Sequence, residues 1–247
     1  MRKISILYYF LLALMTSCTS EHKEIELFSK ELGPEKMEAL NGLIASYDQF
    51  LSLKYPAIPS LAGKSTQFLL DVYQNKAMSF KEVPGIDAVL QRMEDSGLRK
   101  DIYIHESERE SYPGYPVDQL IPIKYPEESM GISQIDTPSP ILLASFQGTL
   151  DKNEKFNKNS KLKFNKNGLF MYALAKSKQN DESYMNYIEA KYKIGDIHPS
   201  LLAMKHLKQL SEETPTWFQK LPFIIDIYYK MLLTQDREDD NLLSYTF

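Results

Sequence analysis

Cysteine occurs once in this 247-residue chain, at Cys18. A single thiol forms no internal disulfide, so whatever folds beyond it is held by its core alone. Tryptophan also occurs once, histidine four times and glycine ten times, and these scarcities exclude several chemistries. No Gly-x-Ser-x-Gly elbow is present for a serine nucleophile. Ala62-Gly63-Lys64-Ser65-Thr66 ends like a phosphate-binding loop, but that motif needs a glycine five residues before Gly63, where Ile58 stands. His105-Glu106-Ser107-Glu108 lacks the second histidine of a zinc-protease helix, position 109 being Arg109. His198 and His206 are badly spaced to share one metal, and Asp236 to Asn241 lacks the glycine and distal glutamate of a calcium loop. The sequence therefore names no metal set, no cofactor and no catalytic residue. Positive charge is not in excess either: 29 Lys and Arg against 33 Asp and Glu give a net charge of −4. Nucleic-acid binding, which rests on neutralising phosphates, is not expected. Fixed-period repeats are also absent, which excludes a helical solenoid.

Long apolar runs are missing after Cys18, but a short one precedes it. Arg2 and Lys3 form a basic head, and Ile4 to Leu14 is apolar except for Ser5. That run is shorter than the roughly 20 residues a spanning helix needs, and it fits the core of a signal peptide. Met15-Thr16-Ser17-Cys18 then closes on the sole cysteine. This stretch resembles the lipobox of bacterial lipoproteins, with Met15 where leucine is commoner. The resemblance implies cleavage before Cys18 and lipidation of its thiol, so that the acyl anchor is the contact with the membrane. One acyl chain holds only reversibly, whereas two or more anchor stably. The expected location is the cell envelope, at the outer membrane, with the face left open. Glu21, Lys23, Glu24 and Glu26 loosely resemble the charged residues that route Bacteroidota lipoproteins to the surface. The plainer expectation for Thr19 to Ser29 is a solvated tether.

The chain divides into a signal peptide (1–17), a lipidated tether (18–30), an N-terminal helical lobe (31–98), an irregular Pro/Tyr-rich segment (99–140) and a C-terminal helical lobe (141–247). The fold class is mainly α, with bundle-like antiparallel lobes and at most a short strand pair in the irregular segment. From Pro34 to Lys54, Leu40, Leu43, Ile44, Tyr47, Phe50 and Leu51 recur at steps of three and four, the stripe of a core-facing helix. Helices are also expected from Leu61 to Asn75, and from Pro84-Gly85 to a stop at Gly97. Ile102-Tyr103-Ile104 reads as a strand. The irregular segment holds six of the thirteen prolines, which exclude a long helix there. Beyond it come a short helix (Ile141 to Leu150), a Lys/Asn-rich loop (Asp151 to Gly168), and helices at Leu169 to Lys178, Glu182 to Ile194 and after Pro199. Pro222 is expected to begin the main part of the last helix, and the tail from Asp236 to Asp240 to fray. Residues 168–203 resemble uncharacterised lipoproteins of Bacteroidota, Gly195-Asp196-Ile197-His198-Pro199-Ser200 being the most distinctive piece. That family implies no activity and no catalytic residues.

The irregular segment is the expected binding region. Tyr112, Tyr115 and Tyr125 sit beside Pro and Gly, the composition of rigid, amphipathic recognition loops. The alternative is that these rings staple the loop to the helices. His105 is the histidine set among acids. The leading expectation is a binding or structural module meeting an envelope protein or glycan. An envelope enzyme assembled from distant carboxylates or His105, and an inhibitor or immunity lipoprotein, are the alternatives.

Overall fold

The structure is a computed structural model and describes residues 21–80, 82–121, 162–207 and 215–235. Cys18, Tyr125, the expected helix from Ile141 to Leu150, the Lys/Asn-rich loop up to residue 161 and the acidic tail lie outside these residues.

The fold is mainly α. Residues 21–32 are helical (α1), followed by α2 (Pro34–Lys54), α3 (Leu61–Tyr73), α4 (Ile86–Asp95) and α5 (Leu98–Ile102). Strand β1 (Tyr103–His105) comes next, and strand β2 (Leu162–Phe164) pairs with it antiparallel. Then come α6 (Leu169–Ser177), α7 (Glu182–Ile194), α8 (Pro199–Leu207) and α9 (Trp217–Phe223). A π-helical stretch (Ile224–Tyr229) and α10 (Lys230–Gln235) complete the described chain. Among the described residues, no helix is long and apolar enough to cross a membrane.

Helix α2 follows its pattern. Leu40, Leu43, Ile44, Tyr47, Phe50 and Leu51 are all buried, each contributing about 1.5–3 kcal/mol relative to exposure. Gly97 takes φ 75, the left-handed stop its position required between α4 and α5. The phosphate-loop mimic is only the first turns of α3, with the Ser60 side chain accepting from the Gly63 amide at 3.1 Å. One hydrophobic cluster runs from Phe28 in α1 to Leu232 in α10, so the helices expected as two lobes share a core.

Three expectations need correction. The tether is helical from residue 21. Phe28 and Leu32 enter the core, Lys178 pairs with Glu24 at 2.7 Å, and Lys176 pairs with Glu31 at 2.8 Å. Buried aromatic and leucine side chains outweigh the polar surface of this segment. The end of the expected Lys/Asn-rich loop is strand β2, because Leu162 and Phe164 bury on either side of Lys163. Pro222 starts no helix. It lies inside α9, which Thr216 and Gln219 open with a capping box. A proline there cannot donate to the carbonyl four residues back. That carbonyl belongs to Phe218, and the Tyr184 hydroxyl donates to it instead. The π-helical stretch follows directly, and Tyr103 donates its hydroxyl to the Ile225 carbonyl at 3.1 Å. This wider winding buries every residue from Ile224 to Tyr229, Asp226 among them.

Candidate functional site

The two-stranded sheet is the centre of the site. Tyr103 faces Phe164, Ile104 faces Lys163 and His105 faces Leu162. Two strands alone are marginally stable, and unpaired strand edges invite other chains. Here an ion pair closes each edge. On the β1 side, Arg99 donates to the Tyr103 carbonyl at 3.1 Å, and the His105 amide donates to Glu108 at 3.0 Å. Arg99 and Glu108 form a two-pronged pair at 2.5 and 2.8 Å, and Glu94 takes the third guanidinium edge at 2.7 Å. On the β2 side, Lys230 donates to the Leu162 carbonyl at 2.9 Å, and the Phe164 amide donates to Asp196 at 2.9 Å. Lys230 and Asp196 lie 3.4 Å apart and both are buried. Each pair thus places a cation on a strand carbonyl and a carboxylate on a strand amide, the two groups a third and fourth strand would supply.

A second buried pair backs the sheet. Lys191 lies 3.1 Å from Asp226, whose other oxygen accepts from the Tyr187 hydroxyl at 2.7 Å. The Lys191 ammonium sits 4.0 Å from the centroid of the Phe164 ring, and the Lys230 ammonium 4.5 Å from that of Tyr103. Two facing rings of the sheet therefore each carry a buried cation. Burial pulls Lys230 down to about 8, against the pull of Asp196 and with further repulsion from Lys191 and Lys163. Burial, with Asp226 nearby, raises the Tyr103 and Tyr187 hydroxyls well above the usual phenol range.

Beyond the sheet, the turn Asn165 to Gly168 packs onto α5. The Asn165 amide donates to the Ile102 carbonyl at 2.8 Å, and its side chain to the Lys100 carbonyl at 2.8 Å. A Cβ on Gly168 would stand 1.9 Å from the Asp101 carbonyl oxygen, so only glycine permits this approach. Tyr112 bridges the same corner. Its hydroxyl donates to Asp101, which Lys36 pairs at 2.6 Å, and accepts from the Leu169 amide at 3.1 Å. Tyr115 lies against Tyr172, centroids 5.7 Å apart, and its amide donates to the Asn167 carbonyl at 2.8 Å.

These contacts wall a groove of about 650 Å³. Ile104 and the loop carrying Glu106, Arg109, Glu110 and Tyr112 form one wall. The turn from Lys163 to Asn167 forms the floor, and the C-terminal end of α7 with Gly195 and Asp196 forms the other wall. Charges of both signs line it. Arg109 lies 3.8 Å from Glu106, and the Lys166 ammonium sits 5.0 Å from the centroid of the Tyr192 ring. Among the described residues, no group of three His, Cys, Asp or Glu side chains is placed to hold a metal.

Of the expected site residues, Tyr112 lines the groove, while Tyr115 packs beside the same turn and is also half-buried. The Tyr112 hydroxyl and the Tyr115 ring and amide fasten the loop to its neighbours, and Tyr112 still presents part of itself to the groove. His105 ends β1, where its backbone closes the sheet edge. Asp196, Lys191, Asp226, Lys230 and Arg99 carry the architecture, and none of them was expected as a site residue. One signal was present: Asp226 and Lys230 stand four apart inside the apolar run Phe223 to Leu233, where lone charges need partners. Compared with known proteins, the chain matches no family model, no curated protein and no solved structure.

Proposed function

We propose that the protein is a lipid-anchored binding module of the cell envelope, held through Cys18, with the groove between β1, the Lys163 to Asn167 turn and the end of α7 as its ligand site. The groove carries this reading. It is open, polar and of ligand size, and its walls are fixed by hydrogen bonds before any ligand arrives. The partner it would meet is an envelope protein or glycan. The lipobox-like stretch supplies the address, and the absence of any cysteine other than Cys18 leaves that thiol to the anchor.

A photo-crosslinking residue at Lys193, on the groove wall, tests the site in intact cells. An adduct formed from Lys193 and absent from Leu53, an exposed side chain outside the groove, supports the reading. Equal patterns from both positions would remove the groove as the site. The anchor has its own test: Cys18→Ala should move the protein from the membrane fraction to the soluble one without unfolding it. Retention of that variant in the membrane would contradict the anchor.

A further inference from the structure

We infer that the groove takes an uncharged saccharide chain, an inference that rests on the groove being the ligand site.

Three features narrow the occupant. Both sheet edges are already filled by ion pairs, so a peptide cannot add a strand beside β1 or β2. Charges of both signs line the walls: the four cations Arg109, Lys163, Lys166 and Lys193 stand with the three carboxylates Glu106, Glu110 and Asp196. A polyanion would meet three carboxylates among the four cations, so most of the salt-dependent attraction that binds such chains is cancelled. The lining is also too polar for an aliphatic ligand.

A sugar hydroxyl both donates and accepts, and it suits walls of mixed chemistry. Carboxylates such as Glu110 only accept, ammonium and guanidinium groups such as Arg109 only donate, and the Asn167 amide does both. Sugar rings also present flat C–H faces. Tyr192 brings an aromatic ring to the groove, with the Lys166 ammonium, a donor, over one of its faces at 5.0 Å from the centroid. The groove is open, so a chain longer than the site can pass through it. Its floor is fixed by Asp196 and its corner by Tyr112, which lowers the ordering cost of weak, repeated hydroxyl contacts.

The test is titration calorimetry on the full lipidated chain in detergent. The probes are neutral oligosaccharides of glucose, mannose, xylose and N-acetylglucosamine in α and β linkage, an oligogalacturonate as the anionic counterpart, and a mixed-charge peptide. The expected result is binding of a neutral oligosaccharide that changes little with salt. Tyr192→Ala, Asn167→Ala and the exposed Glu110→Ala should each weaken it about tenfold, the loss of roughly one hydrogen bond or stacking contact. Circular dichroism and a melting curve confirm that each variant is folded. Binding of the oligogalacturonate alone with a steep salt dependence, binding of the peptide alone, or no binding by any neutral oligosaccharide would each overturn the inference. If the Lys193 adduct persists in those cases, the groove remains the site and only the ligand class is wrong.

Discussion

Lys230 and Asp196 face each other 3.4 Å apart at the wall of the groove that Asp196 lines, one on the Leu162 carbonyl and the other receiving the Phe164 amide. The pair joins the last helix to the turn after α7 and closes the outer edge of β2. Removing one partner leaves the other charged and buried. Lys230→Met is therefore expected to destabilise the fold by about 3–5 kcal/mol. Replacing both residues with apolar side chains should cost much less, because no uncompensated charge remains. Urea denaturation of the two single variants and the double variant checks this, and a double variant as unstable as the sum of the singles would contradict it.

The same lysine sets the alkaline behaviour. Its folded pKa is about 8 against the usual 10.5. Below pH 8 both states carry the proton, and the penalty for burying the charge is constant. Between pH 8 and 10.5 the unfolded chain still binds a proton that the folded chain has released, so stability rises with pH. Above about pH 10 the buried tyrosines, held protonated in the fold, reverse the trend. Denaturation midpoints should therefore peak between pH 8 and 10, and Lys230→Met should lose the rising limb.

On the acid side, the hydrogen bonds of Arg99 hold Glu108 down to about 2, below its usual 4.5. A depressed carboxylate contributes stability that is complete above pH 4.5 and is lost as pH falls toward 2. Glu108→Gln should flatten that limb of the stability curve and leave the alkaline limb unchanged.

Tyr184 and Pro222 should be coupled. Tyr184→Phe leaves the Phe218 carbonyl without its donor and is expected to cost about 1–2 kcal/mol. In a Pro222→Ala background the backbone amide at 222 can serve that carbonyl, so the same change should cost less. A double-mutant cycle by thermal unfolding reads the difference, and strict additivity would contradict the assignment.

Gly168→Ala should destabilise by about 1–3 kcal/mol, because the clash at 1.9 Å is with the Asp101 backbone rather than a movable side chain. Gly114, where a Cβ meets only the Asn167 side chain at 3.5 Å, is the control and should tolerate alanine.

Helix α2 was legible from its sequence because its apolar stripe keeps one period from Leu40 to Leu51. Gly97 was legible because a left-handed stop has few alternatives. The last helix was misread at Pro222, where the expected break is absorbed by a hydroxyl from Tyr184, 38 residues earlier in the chain. Helix α1 was misread because its charged residues dominate the composition, while Phe28 and Leu32 enter the core with Ile25 packed beside them. The sheet edges were the least legible part. Arg99 and Glu108 are close in sequence, but Asp196 and Lys230 meet β2 only through the fold, and no local period marks them. Tyr112 was found by its setting beside Pro113 and Gly114, although its hydroxyl turned out to fasten the corner.

The central claim is that two ion pairs seal the sheet that floors the groove, and amide hydrogen exchange at Phe164 and His105 tests it most directly. In the wild type both amides should exchange slowly, Phe164 through Asp196 and His105 through Glu108. Asp196→Ala, which removes the acceptor, should release Phe164 and spare His105, and Glu108→Ala should do the reverse. Wild-type exchange at either amide as fast as at an open loop would contradict the account.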